Sequence, residues 1–399
     1  MESLAKRLRQ ALPGNLPKPD KETGMACISH SDPLRFWSHL LDAMESERSS
    51  ALLNPQWPET WRQQLGRLAS DLPPGEIPLL LIPTSGSSRL PKFCIHDSDT
   101  LTCAAIGYAQ RFGTEGIIHS VNILPQHHVG GLMPVFRSAE CEGNVHFADY
   151  QDAKSIREAP FPLGQASLSV VPTQMGRMRK DEELVRLLRS FGLILVGGAA
   201  CPPDILDWAR SEGLRLAPCY GSTETAAMVT VMDPEAFASG KSGVGTPLPH
   251  AKVQVDVAER VLVESGACLR QYHPAREGFI REPWATGDLG HMDEGGHLHI
   301  YGRADRVIIS GGENVHPELV EAAALATGLV KAARCIGVSD ADWGKRVELT
   351  AVAAGPDLKE ESLRQRLSEQ LPPYALPKVI HFTDEISSNA MGKMTDSSD

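Results

Sequence analysis

The stretch that decides the fold is residues 284–321, WATGDLGHMDEGGHLHIYGRADRVIISGGENVHPELVE. Alternating apolar residues after a glycine-rich turn predict a strand that ends near Tyr301. The charged segment 302–305 separates this strand from a second apolar run at 307–309, and a glycine pair follows at 311–312. A polar joint between two apolar strands, with glycines just beyond it, predicts a hinge. We therefore expect the chain to divide here into a long N-terminal part and a short C-terminal part.

The composition is typical of a globular protein with a sizeable core. The chain has 399 residues, of which 42% are apolar, and its formal net charge is −11. A chain of this length can form two domains. The acidic balance argues against a protein that wraps nucleic acid or binds a phospholipid surface, so no nucleic-acid partner is expected. An anionic nucleotide would need a local binding site.

Cysteine usage and hydropathy indicate a cytoplasmic protein. Eight cysteines are scattered without a CxxC pair, which argues against a zinc knuckle and against a disulfide framework. The simpler interpretation is that they are small buried hydrophobes in a reducing compartment. The N-terminus lacks the continuous apolar core of a signal peptide. The sequence contains no run of about eighteen apolar residues, so no membrane span is predicted.

Short apolar runs alternate with helical segments through the middle of the chain. This alternation predicts parallel strands joined by crossover helices, with strands at 77–83, 121–125, 168–171 and 193–196. Alternating residues at 253–257 and 260–264 predict a small β subdomain. From Pro317 onward, the pattern predicts the order helix, strand, strand, helix, strand. The predicted fold class is therefore α/β and α+β: a large N-terminal domain, residues 1–304, with parallel-rich sheets, helices and a small β subdomain, and a small α+β C-terminal domain, residues 305–399.

The loop 84–92, TSGSSRLPK, has the composition of a phosphate cradle. It follows a short apolar strand, and its N–H groups, hydroxyls and lysine can bind phosphate oxygens. Its spacing is not that of a Walker loop. From these residues alone, an ordinary polar turn is as good an interpretation as a phosphate site whose ligands are Thr84, Ser85, Gly86, Ser87, Ser88 and Lys92.

Four further motifs occur in a fixed order: Thr286-Gly287-Asp288, Gly302-Arg303-Ala304-Asp305, Ser310-Gly311-Gly312 and Val315-His316-Pro317-Glu318. In this order they resemble the AMP-forming adenylating superfamily, which includes acyl-CoA synthetases, luciferases and peptide-synthetase adenylation domains. Each motif alone is weak, but the ordered set is specific. Earlier in the chain, loop 84–92 is similar to the superfamily's phosphate loop, and Tyr220-Gly221-Ser222-Thr223-Glu224 is similar to its Tyr-Gly-x-Thr-Glu motif.

The resemblance implies a nucleotide-binding role for each matched segment. Loop 84–92 would hold the β- and γ-phosphates of ATP. Adenine would lie between Tyr220-Gly221 and the turn Gly197-Gly198-Ala199, where glycine lets the backbone approach a flat base closely. Asp288 would bind the two ribose hydroxyls, and Arg303 would lie near ribose or phosphate.

The resemblance also implies residues around the reacting groups. Thr223 would contact the α-phosphate, and Glu224 would hold magnesium, which prefers oxygen ligands together with phosphates. Taken alone, Glu224 would be interpreted as a carboxylate at a helix start. Residues 125–131 match a Pro-x-x-His-x-x-Gly segment, so His128 would donate a hydrogen bond near the carboxylate of the acid, although histidines at a strand end are usually structural. His127 would be a spacer or a surface residue.

In the superfamily the C-terminal domain is a mobile lid whose final lysine completes the adenylation site. Gly392-Lys393 matches that ending and makes Lys393 the implied catalytic lysine, whereas the simpler interpretation is a surface lysine in a frayed tail. After adenylation the lid would swing about Asp305, so that the Gly311-Gly312 loop replaces the lysine and opens a pantetheine tunnel. The chain departs from the superfamily pattern at three positions: Arg89 replaces a glycine, Ser387 a proline and Asp396 an arginine.

The implied function is that of a carboxylic acid–CoA ligase. It would use ATP, magnesium and coenzyme A to form an acyl-adenylate and then a thioester. The 125–131 register and the Ser-Asn-Ala-Met-Gly-Lys ending are similar to o-succinylbenzoate–CoA ligases of menaquinone biosynthesis, which implies a small-molecule carboxylic acid as substrate. Two alternatives stay open: an adenylating enzyme that transfers another acyl group to CoA or a carrier protein, and a non-catalytic nucleotide-binding descendant, which Arg89 and Asp396 would favour. A homodimer is implied because homodimers are common among relatives.

Overall fold

A computed structural model describes residues 2–19, 24–72, 77–84, 91–113, 116–274, 283–340, 342–356 and 358–386. The predicted site residues outside these ranges are Ser85, Gly86, Ser87, Ser88 and Lys393. The three departures from the superfamily pattern, Arg89, Ser387 and Asp396, also lie outside them. The described residues form four β-sheets, with helices packed against them. Among them, none of the helices is both apolar enough and long enough to cross a membrane.

Several helices begin at capping residues that the sequence supplies. The carboxylate of Asp32 accepts backbone hydrogen bonds from Leu34 and Arg35, and Asp97 and Thr100 form a capping box. The helices of the described residues are α1 (Glu2–Ala11), α2 (Pro33–Glu45), α3 (Glu59–Ser70), α4 (Ser98–Phe112), α5 (Val129–Glu140), α6 (Ala153–Arg157), α7 (Pro172–Met178), α8 (Glu182–Leu188), α9 (Pro203–Ser211), α10 (Pro234–Ala238), α11 (Pro317–Ala326) and α12 (Glu360–Ser368).

The strands are mostly short. Those of the described residues are β1 (Ala26–Ile28), β2 (Ser50–Leu52), β3 (Leu80–Pro83), β4 (Phe93–His96), β5 (His119–Asn122), β6 (Val145–Phe147), β7 (Ala166–Val170), β8 (Leu193–Val196), β9 (Leu216–Ser222), β10 (Ala227–Val231), β11 (Thr246–Pro247), β12 (Ala251–Val255), β13 (Arg260–Ser265), β14 (Gln271–His273), β15 (Trp284–Met292), β16 (Leu298–Arg303), β17 (Ile308–Ser310), β18 (Glu313–Val315), β19 (Val330–Asp340), β20 (Gly344–Ala353) and β21 (Val379–Phe382).

The central sheet confirms the predicted strand–helix alternation. Its seven strands have the order β11-β10-β9-β8-β7-β5-β6, and the five from β9 to β6 are mutually parallel. Parallel neighbours require crossover connections, which the helices between these strands provide. β8 is buried along its whole length, as expected for a strand covered on both faces. The carboxyl ends of the parallel strands therefore lie along one edge of this sheet.

The N-terminal residues form a second sheet, of which the sequence predicted one strand, at 77–83, found as β3 (Leu80–Pro83). Its order is β1-β2-β3-β4-β14, with β1, β2 and β3 parallel and β4 and β14 antiparallel to their neighbours. Residues 26–28 and 50–52 are too short to show a periodicity that separates strand from loop. The last strand, β14, comes from far along the chain and pairs with β4, Tyr272 opposite Cys94. This sheet carries both ends of loop 84–92.

The predicted β subdomain and C-terminal unit are both present. The subdomain is an antiparallel sheet with the order β12-β13-β15-β16. The C-terminal sheet has the order β18-β17-β20-β19, with β21 beside β20, and its helices are α11 and α12. The order predicted from Pro317 onward is confirmed by α11, β19, β20, α12 and β21; β18, which precedes Pro317 and pairs with β17 in a hairpin, was not predicted. Three residues that start at Glu313, two of them exposed, give no apolar alternation by which a strand can be recognised.

Arg306 connects the joint after β16 to helix α11. Its guanidinium donates to Glu318 Oε1 at 2.6 Å and to Glu321 Oε1 at 2.8 Å. Glu321 is almost fully buried, and it also accepts a hydrogen bond from the backbone N–H of Cys335 at 2.9 Å. A buried carboxylate is expensive unless it is paired, so this network stabilises the start of the C-terminal unit.

Replacement of this arginine tests the network. Arg306→Met leaves two carboxylates without their main partner, and we expect the free energy of unfolding to fall by about 3 kcal/mol. Arg366→Met, which removes an exposed pair with Glu369, is the matched control and should change it by less than about 0.5 kcal/mol. Urea denaturation measures both variants. Equal effects of the two substitutions would show that the Arg306 network contributes no more than a surface pair.

Candidate nucleotide-binding site

The predicted site residues meet at the carboxyl edge of the central sheet. The turn 197–199 follows β8, and residues 223–224 follow β9, its parallel neighbour. His128 precedes α5, just after β5 on the same edge. Ligands of open α/β sheets bind at this edge, because the loops that leave the strands converge there.

Tyr220 and Asp288 join the central sheet to the β subdomain. The Tyr220 hydroxyl donates to Asp288 Oδ2 at 2.5 Å, and burial together with the charge of Asp288 raises the pKa of Tyr220 well above its usual value. Asp288 lies opposite Arg303 in the β15–β16 pair, and Arg303 Nη1 lies 3.5 Å from Asp288 Oδ1. Arg303 also makes two 3.1 Å hydrogen bonds to Asp305, which raise the pKa of its guanidinium. The residues assigned to adenine and ribose are thus in direct contact.

Two glycines of this edge are required by packing. A Cβ at Gly197 would lie 2.7 Å from Cys219 Sγ in β9, and a Cβ at Gly221 would overlap the carbonyl oxygen of Ala227. Gly198 has a φ of +81°, a conformation that glycine adopts without strain. Gly198 and Ala199 are exposed, so the turn presents its backbone to solvent.

Glu224 is held by a residue that the sequence did not identify. The Tyr272 hydroxyl donates to Glu224 Oε1 at 2.9 Å, and Lys92 Nζ lies 3.3 Å from the centroid of the Tyr272 ring. The backbone carbonyl of Glu224 accepts from Leu269 N at 2.7 Å. Glu224, which the sequence assigns to magnesium, and Lys92, which it assigns to phosphate, therefore contact the hydroxyl and the ring face of one tyrosine. No motif contains Tyr272, so only the pairing of β14 with β4 reveals it.

The ends of the phosphate loop are paired with each other. Thr84 N donates to the carbonyl of Lys92 at 2.9 Å, and the Thr84 hydroxyl donates to the same oxygen at 3.3 Å. Because β3 and β4 are antiparallel, loop 84–92 connects a hairpin. Thr84 and Lys92 belong to the assembled site, while residues 85–90 lie outside the described part of the chain.

His96 is a second residue that sequence reasoning missed. Its Nε2 lies 2.8 Å from the carbonyl oxygen of Thr223, which only accepts, so Nε2 carries the proton. Its Nδ1 lies 3.0 Å from the Thr100 hydroxyl. Burial lowers the pKa of His96 to about 4, so the ring is neutral at pH 7. This hydrogen bond from His96 therefore fixes the backbone at Thr223, the residue before Glu224.

Of the two adjacent histidines, His127 is more buried than the sequence predicted. His127 was expected to be a spacer or surface residue, but it is 6% exposed, and burial lowers its pKa to about 3. His128 is half-buried, at the N-cap of α5, with its ring 4.4 Å from that of His127. The prediction failed because His127 lies in the turn between β5 and α5, where His128 N donates to the carbonyl of Pro125 at 3.2 Å, and local spacing does not show which side chain of a turn is buried. His128 lies at the expected edge.

Arg137 is a buried cation that no motif contains. It is 5% exposed on α5, and its Cζ lies 5.3 Å from the centroid of the Tyr108 ring. Within the described ranges, no carboxylate forms an ion pair with it, and the ionisable groups that act on its pKa are Tyr108, Cys219 and Cys141. Burial lowers the pKa of Arg137. Arg137 interacts electrostatically with Cys219, which directly precedes Tyr220 and packs against Gly197.

His250 shares this region with Arg137. Both of its ring nitrogens are buried without a hydrogen-bond partner among the described residues. Burial and the positive charge of Arg137 lower the pKa of His250 to about 4. Buried polar groups are normally paired, and a buried cation without an anion is costly. His250 and Arg137 are thus two buried polar side chains for which the described residues provide no ion-pair partner.

The donors at this edge fit a nucleotide with its magnesium ion. Mg²⁺ is usually held by one or two carboxylates together with substrate phosphates, and Glu224 is a positioned, half-buried carboxylate. In the described part of the chain, no cluster of three or more His, Cys, Asp or Glu side chains is arranged to hold a metal. The residues present therefore suit a metal that binds with phosphate.

Comparisons with known proteins agree with this geometry. The AMP-binding enzyme family matches residues 10–267, and the AMP-binding enzyme C-terminal domain matches residues 319–393. A 2-succinylbenzoate–CoA ligase from Geobacillus sp. (strain WCH70) is 28% identical over 332 residues, which cover 78% of this chain and 66% of that protein. The chain thus spans slightly less than two thirds of the length of this relative.

Two solved structures of o-succinylbenzoate CoA synthetase from Bacillus subtilis share the fold. The complex with the acyl-adenylate intermediate has a TM-score of 0.82 at 21% identity, covering 98% of this chain and 90% of that chain. The complex with ATP and magnesium has a TM-score of 0.80 at 22% identity, covering 98% and 92%. The fold is that of the AMP-forming adenylating superfamily. This chain belongs to the AMP-binding enzyme family.

The neutral state of His96 makes stability depend on pH. Its pKa is about 4 in the folded chain and near the model-peptide value of about 6.5 when unfolded, so between these values only the unfolded chain binds the proton. Stability is therefore lost as the pH falls from 7 toward 4, and His96 should account for about 2 kcal/mol of the loss between pH 7 and pH 5.

The measurement is urea denaturation of the wild type and His96→Gln at both pH values. The glutamine variant should lose about 2 kcal/mol less than the wild type over this interval. His381→Gln, at a residue with a largely exposed side chain, is the matched control and should follow the wild type. Parallel pH dependence of His96→Gln and the wild type would rule out a buried neutral His96.

Proposed function

We propose that this chain is an ATP-dependent carboxylic acid–CoA ligase that activates o-succinylbenzoate. The observation that supports this choice of substrate is Arg137, a buried cation without a carboxylate partner among the described residues. o-Succinylbenzoate has a succinyl carboxylate, which is activated, and a second carboxylate on the ring. Arg137 would bind the second carboxylate, and the single N–H of the neutral His250 ring would donate a further hydrogen bond to it.

The first reaction joins the acid to AMP. The carboxylate oxygen attacks the α-phosphorus, the bond to the bridging oxygen of pyrophosphate breaks, and pyrophosphate leaves. Thr223 would contact the α-phosphate, Tyr220 and the 197–199 turn would hold adenine, and Asp288 would bind ribose with Arg303 beside it. When bound at Glu224, magnesium supplies positive charge to the phosphates. The acid is already ionised at pH 7, so this step needs no general base.

The second reaction forms the thioester. The thiol of coenzyme A loses its proton, the thiolate attacks the acyl carbon, the bond from that carbon to the AMP oxygen breaks, and AMP leaves. We place the boundary between an N-terminal domain and a mobile lid at residues 304 and 305. The lid would deliver Lys393 for the first reaction and the Gly311-Gly312 loop for the second. A cytoplasmic homodimer is part of the same proposal.

The function is tested by acid-dependent release of AMP and pyrophosphate. The panel contains o-succinylbenzoate, 4-oxo-4-phenylbutanoate, which lacks only the ring carboxylate, and a fatty acid. In the wild type, kcat/KM should be about 100-fold higher for o-succinylbenzoate than for 4-oxo-4-phenylbutanoate, because a desolvated charge pair is worth several kcal/mol. In Arg137→Met this preference should disappear, chiefly through loss of the o-succinylbenzoate reaction.

The controls separate the parts of this proposal. Arg157→Met removes an exposed arginine on α6 and should keep the preference. A wild type that prefers neither acid, or an Arg137→Met variant that loses both reactions equally, refutes the substrate assignment. Replacement of coenzyme A by a phosphopantetheine-bearing carrier protein identifies the acceptor. Formation of ADP in place of AMP, or ATP binding without pyrophosphate release for every acid, refutes the ligase chemistry.

Lys393 is assigned to the first reaction by its match to the superfamily ending. Lys393→Ala should reduce acid-dependent pyrophosphate release by about 100-fold or more, because a fixed cation at the reacting phosphate contributes on that order. The same variant should still convert a supplied acyl-adenylate to thioester. Lys359→Ala, just before α12, is the control and should perform both reactions. Unchanged pyrophosphate release from Lys393→Ala would remove this residue from the mechanism.

A further inference from the structure

Tyr272 contacts two groups that the proposed reaction needs. Its hydroxyl donates to Glu224 Oε1 at 2.9 Å, and its ring lies beneath Lys92, with Nζ 3.3 Å from the ring centroid. The side chain is half-buried on β14, a strand outside the sheet that carries Glu224. One rigid aromatic group therefore spans the metal ligand of the central sheet and the lysine of the phosphate loop.

The hydroxyl contact sets the direction of the carboxylate. A glutamate side chain has three rotatable bonds, and a hydrogen bond to one oxygen restricts them before any ligand binds. The outer partners of metal ligands contribute in this way, and their loss typically weakens metal binding by about 10- to 100-fold. The backbone of Glu224 is fixed separately by Leu269 N and, through Thr223, by His96. The side chain is the part that Tyr272 orients.

The ring contact acts on a different charge. An ammonium group over the face of a tyrosine is attracted by the ring, and the attraction is strongest where water is partly excluded. Lys92 is half-buried at the end of loop 84–92, so the ring limits where its ammonium lies. Since Lys92 is assigned to the β- and γ-phosphates, this contact should raise the affinity for ATP and leave the affinity for AMP unchanged.

We propose that Tyr272 is a positioning residue for the magnesium–nucleotide complex: its hydroxyl orients Glu224 toward the metal, and its ring holds Lys92 toward the terminal phosphates. This inference rests on the proposed function, because it assumes that ATP binds at this edge. Tyr272 has no role in the reaction described above, and its hydroxyl and its ring would contribute separately. Tyr272 does not itself touch the reacting atoms.

The experiment measures binding and does not depend on turnover. Isothermal titration calorimetry of the full chain with α,β-methylene-ATP, with and without Mg²⁺, gives the gain in affinity that the metal provides. Tyr272→Phe removes the hydroxyl and keeps the ring, so we expect the metal-dependent gain to fall about tenfold while the affinity without metal stays unchanged. Mn²⁺ titration in the presence of the same analogue, followed by electron paramagnetic resonance, should show the same weakening.

A second variant separates the ring from the hydroxyl. Tyr272→Leu should show the loss seen for Tyr272→Phe and, in addition, about threefold weaker binding of the analogue without metal, with AMP binding unchanged. Tyr150→Phe is the matched control, because its hydroxyl also lies in side-chain hydrogen bonds, to Arg177 and Gln151, on another part of the surface. It should bind like the wild type in every titration.

The outcomes distinguish this inference from the proposed function. If the wild type gains affinity from Mg²⁺ and Tyr272→Phe gains as much, the orienting role of Tyr272 is refuted and the function stands. If the variant loses affinity equally with and without metal, Tyr272 is only structural and the inference is again refuted. If the wild type binds neither ATP analogue nor AMP, both the inference and the proposed function fail.

Discussion

The alignment of strand ends in the central sheet is the constraint on which the site depends. β5, β7, β8 and β9 are parallel neighbours, so the loops that leave them emerge along one edge. That edge holds the 197–199 turn and residues 223–224, and the segment before α5 approaches it from β5. Close packing keeps the arrangement rigid, because Gly197 and Gly221 leave no room for a Cβ against their neighbours. The charged groups of the site are therefore held by backbone that cannot shift independently.

Around this edge, the polar groups come from elements that are distant in sequence. Asp288 arrives on β15 and meets Tyr220 of β9, while Tyr272 arrives on β14 and meets Glu224. The central sheet thus contributes the turns assigned to the nucleotide, and two other sheets contribute Asp288 and Tyr272, whose side chains are hydrogen-bonded to Tyr220 and Glu224. A hydrogen bond between rigid elements loses little side-chain entropy when it forms, which favours sites assembled on strands over sites assembled on loops.

Sequence reasoning located the large elements because their signals are local. The apolar run 193–196 identified β8, helical spacing after Pro317 identified α11, and the motif residues Tyr220, Asp288 and Arg303 do lie together. It failed where the signal depends on tertiary contacts. β1 and β2 have three residues each, too few for a periodicity, and His127 became buried through a turn that no pattern predicts. Arg137, His96 and Tyr272 belong to no motif, because their importance comes from what surrounds them.

The pairing of β14 with β4 has a consequence for how the chain is assembled during synthesis. Residues 271–273 are made long after residues 93–96, yet the first sheet lacks its last strand until they arrive. Until then β4 presents unpaired backbone groups, the kind of open edge to which other chains can add. More than half of the chain must be synthesised before this edge is closed, so β4 is the last strand of the sheet to gain its second neighbour.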